Sequence, residues 1–140
     1  MVEERFQIGV KALVKDTSGN ILVCRTSGAD EHEERHDKWD MPGGRIEKGE
    51  MIDEALRREL KEELRITDIK VEGLHEAVIS KVRISSGNET YGLCLLVYNC
   101  KLPTQELGLG KGSEEYKWAS KTEIKGLLSH KYPGKFLDAL

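Results

Sequence analysis

Apolar and polar residues alternate over residues 7–15, a stretch rich in Val, Ala and Leu, and this period of two predicts a first β-strand. The cluster Asp16-Thr17-Ser18-Gly19-Asn20 is turn chemistry, and the apolar run 21–25 predicts a second strand that forms a hairpin with the first. Residues 26–38 are polar and read as a surface loop, with the alternative that they close over a bound molecule, since they lead straight into Trp39. Trp39-Asp40-Met41 is short and extended ahead of Pro42. From about residue 50 to 64 the period lengthens to that of a helix. Beyond it, residues 69–83 predict a strand bent near Gly73, 85–89 a turn, and 91–102 the most apolar strand of the chain, expected at the centre of a sheet. Residues 103–112 are irregular and Gly-rich, and 114–119 predict another strand. Ser120 and Glu123 form a capping box ahead of a helix over 122–130, and 135–140 predict a last helical turn. A helix set within a long series of strands implies an α/β sandwich, and 140 residues suit one domain, 1–140, with a real core.

The first helix carries the chemistry. At about 100° per residue, Ile52, Ala55, Leu56 and Leu60 share one arc, the arc that should face the core. Glu59 falls between Ala55 and Ile52, Glu63 between Ile52 and Leu56, and Glu62 at the edge of the arc. Arg57, Lys61, Glu50 and Glu54 fall on the opposite, solvated side. Carboxylates turned toward an apolar interior lose hydration worth several kcal/mol unless something neutralises them. Their i, i+3, i+4 spacing and oxygen-only chemistry point to a hard divalent cation, Mg²⁺ with Mn²⁺ as a substitute, rather than zinc. Arg58 can pair with Glu54 and Glu62 and hold the acids in place. Ahead of the helix, Gly43 and Gly44 bare the backbone for a metal or a phosphate, and the helix start attracts anions. Together these parts predict a metal–polyphosphate site.

Gly44, five residues, Glu50, seven residues, then Arg58-Glu59-Leu60-Lys61-Glu62-Glu63-Leu64-Arg65-Ile66 resembles the Nudix box, Gly-x5-Glu-x7-Arg-Glu-U-x-Glu-Glu-x-Gly-U, where U is a bulky aliphatic. Eight of nine fixed positions match over 23 residues. Arg65 stands where the pattern has glycine, which suggests a slightly different helix exit and touches no expected metal ligand. The resemblance implies a Nudix-type α/β/α sandwich with a mixed, curved sheet. It implies Mg²⁺-dependent hydrolysis of a nucleoside diphosphate linked to another moiety, by water attack at phosphorus. Glu59, Glu62, Glu63 and the Gly43 carbonyl would hold the metal, with Glu62 or Glu63 as base. Glu50 and Arg58 would organise the acids, and Glu47 would reach an additional metal. Gly43, Gly44 and Arg25 would contact the substrate, although a surface salt bridge explains Arg25 equally well. Glu114 or Glu115, ahead of Trp118, resembles a distal acid of the family, the alternative being a solvated pair at a strand start. In its short length the chain resembles the small triphosphate-cleaving members, including those that remove damaged nucleotides. The rival from another class is a catalytically silent Nudix module that senses a nucleotide or docks a partner; such modules usually lose box carboxylates, and all are present here.

Composition narrows this little further. A net charge of −3 and a pI of 5.9 leave no basic footprint for duplex DNA or RNA; a small phosphorylated ligand can still bind where a metal supplies the positive charge, the resemblance implies that it is a nucleotide, and a homodimer is left open. The start of the chain has no signal-peptide core and no run is apolar enough to span a membrane, so a cytoplasmic protein is expected. Cys24, Cys94 and Cys100 lack metal or disulfide spacing and read as buried thiols of a reducing compartment. His32 and His36 could be drawn as a metal pair, but a loop of mixed charge argues against it. Trp39, Tyr91 and Trp118 could stack on a base, with core packing as the alternative.

Overall fold

A computed structural model describes residues 1–26, 39–103 and 106–140. The expectations placed on His32, His36 and the loop around them lie outside the described residues. The elements are β1 (Phe6–Val14), β2 (Ile21–Thr26), β3 (Trp39–Asp40), β4 (Gly43–Arg45), α1 (Ile52–Leu64), β5 (Lys70–Ile79), β6 (Ile84–Ser86), β7 (Glu89–Lys101), β8 (Ser113–Ala119), α2 (Lys121–Leu128) and α3 (Gly134–Asp138).

A mixed sheet runs in the order β4-β1-β7-β5, with β6 pairing on β7, and a smaller antiparallel sheet runs β3-β2-β8. β1 and β7 are parallel from Phe6↔Gly92 to Val14↔Cys100, so the apolar run of β7 does lie inside the sheet. Alternation along β1 and β7 divides the core in two. Val10, Ala12 and Val14 pack with Ala55, Leu56, Leu60 and Leu64 of α1. Leu13, Leu93, Leu95 and Val97 face the other way and pack with Ile124, Leu128, Tyr132 and Phe136 of the α2–α3 segment. The sheet therefore lies between helices, as an α/β/α sandwich requires.

Four expectations are corrected. The turn after β1 forms, with Asp16 accepting hydrogen bonds from Ser18 N and Asn20 N, but the hairpin does not continue. Past one bridge, Lys15↔Ile21, the strands part and enter different sheets. The long strand expected over 69–83 ends at Ile79, after register shifts at Val71/Gly73 and Leu74/Glu76, and β6 then folds back on β7 about Gly87 and Asn88. Ile52, expected in the core, is exposed because it opens the first turn of α1, with Met51 as its N-cap. Finally, Arg65 itself takes the left-handed conformation (φ 57°), so the helix leaves as a glycine would make it leave, at a local backbone cost.

The loop before β8 completes α1. Gly108 N and Gly110 N donate to the carbonyls of Leu64 and Glu63, two acceptors that a helix end leaves unpaired. A side chain at Gly110 would collide with the Glu62 carbonyl. This loop fixes the stretch of α1 that carries the paired acids.

Candidate active site

Burial of Leu56, Leu60 and Leu64 rotates α1 so that Glu63 points inward, and the residue is only 9% exposed. One of its carboxylate oxygens accepts from Gly43 N at 3.0 Å, the other from Cys24 Sγ at 3.3 Å. Burial pushes its pKa up to about 8; the Lys11 ammonium opposes that rise and the Glu59 carboxylate adds to it. Glu59 lies against the backbone of Gly44, where an added Cβ would stand 2.5 and 2.6 Å from its two carboxylate oxygens. At Gly43 a side chain would collide with Val10 O, and φ is 145°. The paired glycines thus have distinct causes: Gly43 lets β4 close on β1, and Gly44 makes room for a carboxylate.

Arg58 gathers the acids. Its guanidinium takes Glu50 with two bonds, of 2.6 and 2.9 Å, and reaches Glu59 at 2.8 Å, Glu62 at 3.4 Å and the Arg45 carbonyl at 3.2 Å. The expected partner Glu54 instead accepts from Met51 N at the helix start. Glu50, placed on the solvated side by helical spacing, precedes the helix and turns back onto Arg58. That pairing, with a bond from Glu47 N, draws its pKa down to about 2. Glu47 stands 3.6 Å from Arg58 with most of its side chain in solvent. Glu62 is the outermost acid of the set, its side chain 54% exposed.

Sequence reasoning missed a second buried cluster beside these acids. Lys11 Nζ bonds Asp40 at 2.9 Å and also donates to the Gly43 carbonyl at 3.3 Å. Lys131 Nζ meets the same Asp40 oxygen at 2.7 Å, and the Tyr132 hydroxyl donates to the other at 2.6 Å. All four residues are buried. Burial works against both charges of the Lys11–Asp40 pair. The two lysines outweigh it and hold the Asp40 carboxyl well below the usual range, while Asp40 and Glu63 keep Lys11 protonated. The one signal in the sequence was a lysine inside the apolar run 8–14. Lys11, Asp40, Lys131, Gly44, Glu59 and Glu63 share the wall of a cavity of about 550 Å³.

Arg25 is paired with Glu114 at 2.9 Å and with Glu115 at 3.4 Å, so two separately expected sites form one ion-pair cluster between β2 and β8. Trp39, Tyr91 and Trp118 are partly buried against the two cores. Cys24 and Cys100 are buried and Cys94 half-buried, all as free thiols.

Among the described residues no three acids, histidines or cysteines stand together tightly enough to hold an ion. Glu59 and Glu62 are held by Arg58 instead. The donor chemistry nevertheless fits a hard cation. Glu59 and Glu63 face one cavity, and the Glu59 carboxylate raises the cost of charging Glu63, a cost that a positive ion would relieve.

The NUDIX domain model matches residues 5–140. The chain belongs to the Nudix family. The nucleoside triphosphatase NudI of Escherichia coli O139:H28 is 27% identical over 110 residues, covering 76% of this chain and 77% of that protein. The crystal structure of a MutT protein from Methanosarcina mazei Go1 superposes with a TM-score of 0.74 at 26% identity, covering 99% of this chain and 92% of that one. A Caenorhabditis elegans Ap4A hydrolase, at 17% identity and TM-score 0.67 over 94% of this chain and 90% of that one, shares the fold. Nudix hydrolases cleave phosphorus-containing anhydrides, nucleotide-linked pyrophosphates in general, and commonly employ a divalent metal. No helix among the described residues is long and apolar enough to cross a membrane.

Proposed function

We propose that this Nudix hydrolase cleaves nucleoside triphosphates with Mg²⁺, releasing pyrophosphate through attack of water at phosphorus. The observation that carries the reading is the pair of carboxylates, Glu59 and Glu63, turned into the same cavity on the residue pattern of the Nudix box. The likeness to a nucleoside triphosphatase supports the choice of substrate. Glu59, Glu62 and Glu63, with the Gly43 carbonyl, are the oxygens that would hold the metal. When bound, Mg²⁺ neutralises the polyphosphate and lowers the pKa of its water.

The chain's own groups do the rest. Arg58 presents Glu59 and Glu62, anchored on Glu50 and the Arg45 carbonyl. Gly43 N and Cys24 Sγ fix the orientation of Glu63, which leaves it little freedom to swing with a proton. Glu62 is exposed and held only by the 3.4 Å bond from Arg58, so we assign it as the base that takes the proton of the attacking water. Glu47, at the cavity wall, would join a further metal brought by substrate. Gly44 and Arg45 would face the phosphates. Arg25 enters this proposal as a phosphate contact that must first leave Glu114 and Glu115, and one of those acids would then be free for a metal.

Replacing Glu62 by Gln, or Glu63 by Gln, removes charge and basicity with almost no change in volume. Each variant should fold and lose turnover of a nucleoside triphosphate panel by about 10²-fold or more. Parental pyrophosphate release by both variants would end the mechanism. Tight binding of a triphosphate by the parent without release would favour the sensing module instead.

A further inference from the structure

On β1, Gln7, Gly9 and Lys11 alternate with Val10 and Ala12 and therefore face away from α1, toward the side where Leu93 and Leu95 lie. All of them border the cavity. Its end near Glu59 and Glu47 is acidic, whereas the region along β1 combines aliphatic walls, Ile84, Leu93 and Leu95, with the buried ammonium of Lys11. Gly9 leaves that floor flat, because a Cβ there would press on Leu95 at 2.9 Å. A flat ring fits such a surface, and the polyphosphate would go to the acidic end, where the metal of the proposed function would neutralise both.

Lys11 carries three N–H donors. Two have acceptors in the structure, Asp40 at 2.9 Å and the Gly43 carbonyl at 3.3 Å, which leaves a third for whatever occupies the cavity. The occupant's charge is limited by its neighbours. With Glu63 ionised as a metal ligand, the ammonium groups of Lys11 and Lys131 face the carboxylates of Asp40 and Glu63, so no uncompensated positive charge is left there to attract a further anion. A neutral acceptor needs only the remaining N–H of Lys11 and no uncompensated charge. We propose that Lys11, held by Asp40 against Lys131 and Tyr132, is a specificity-determining residue that donates to a ring carbonyl of the substrate's nucleobase, so that carbonyl-bearing bases are preferred to carbonyl-free ones. This assignment rests on the nucleoside triphosphate reading above for its substrate class.

The test compares UTP and ITP, which carry ring carbonyls, with ATP and purine riboside triphosphate, which carry none. ITP and purine riboside triphosphate have the same ring skeleton and differ at C6. Two readouts are taken: kcat/KM with Mg²⁺ on the parent, and equilibrium affinity on the Glu62→Gln variant. The better of UTP and ITP should exceed both carbonyl-free triphosphates by about ten- to a hundredfold in each readout. In Lys11→Met that preference should shrink to within about threefold; Asp40 keeps Lys131 and Tyr132 as partners there, and the substrate series on the parent needs no variant to fold. Equal handling of all four triphosphates overturns the inference. So does a Lys11→Met loss that is the same for every base, which would assign Lys11 to the phosphates. Selective binding of carbonyl-bearing triphosphates without turnover in the parent would sustain the inference while refuting the hydrolytic reading.

Discussion

Gly44→Ala separates catalysis from folding at this site. A Cβ at residue 44 would stand 2.5 Å from one oxygen of Glu59 and 2.6 Å from the other, against 3.4 Å for ordinary contact. The carboxylate must therefore retreat by about 1 Å. The obstacle is the end of a flexible side chain rather than backbone, and Gly44 is not among the positive-φ positions, so the chain can accept alanine. The stability cost is the weakening of the 2.8 Å bond to Arg58, a partly exposed charged pair worth about 1 kcal/mol. The expected fall in Tm is about 3 °C for a domain of this size. Catalysis is less forgiving, since a shift of about 1 Å in a positioned group costs about 10²-fold in rate. Steady-state kinetics on a triphosphate, Mg²⁺ titration calorimetry and thermal unfolding should thus show kcat/KM down by about 10²-fold, weaker metal binding, and a nearly parental Tm. Gly43→Ala is the control: its Cβ meets backbone at Val10, and φ of 145° resists any side chain, so that variant should fail by unfolding. Parental kinetics for Gly44→Ala would show that Glu59 is not needed where the structure puts it.

Other expectations follow from the surrounding network. Arg58→Lys keeps the charge but cannot hold Glu50 with two bonds while reaching Glu59 and the Arg45 carbonyl, so kcat/KM should fall about 10- to 100-fold in steady-state assays. Asp40→Asn strands Lys11 and Lys131 together and should cost about 3–5 kcal/mol in urea unfolding. The Asp40 carboxyl is held below its ordinary value, so its contribution to stability is present above about pH 4 and is lost as pH falls through the acid range. The acid limb of the stability–pH profile should accordingly be shallower in Asp40→Asn. Arg65→Gly should raise stability by about 1 kcal/mol, read as a Tm gain of about 3 °C, because arginine there bears a left-handed φ of 57°.

The carboxylate face was legible because a helix converts spacing into direction. Once Leu56, Leu60 and Leu64 face the core, Glu63 has nowhere else to point. The α/β/α layering was legible for the same reason, from the change of period between strands and helix. Residues around the first helical turn are less so: helical spacing extends the wheel to Glu50 and turns Ile52 inward, yet α1 begins at Ile52, which is exposed. Long-range pairings carry no local signature. Arg25 meets Glu114 and Glu115 about 90 positions away, and Asp40 meets Lys131 and Tyr132 across a similar span, so both clusters appear only when the sheets assemble. The fate of the first hairpin was hidden as well, since a turn fixes the reversal of the chain but not which sheet each strand joins.

Glu59 and Glu63, turned into one cavity with Glu62 at its outer side, mark the place proposed for a divalent cation. Titrating Mn²⁺ into the protein and following the free ion by electron paramagnetic resonance, for the parent and for a Glu59→Gln/Glu63→Gln double variant, tests that proposal most directly. Saturable uptake is expected of the parent, weakened by at least about tenfold in the double variant. No uptake by the parent, or equal uptake by both proteins, would contradict it.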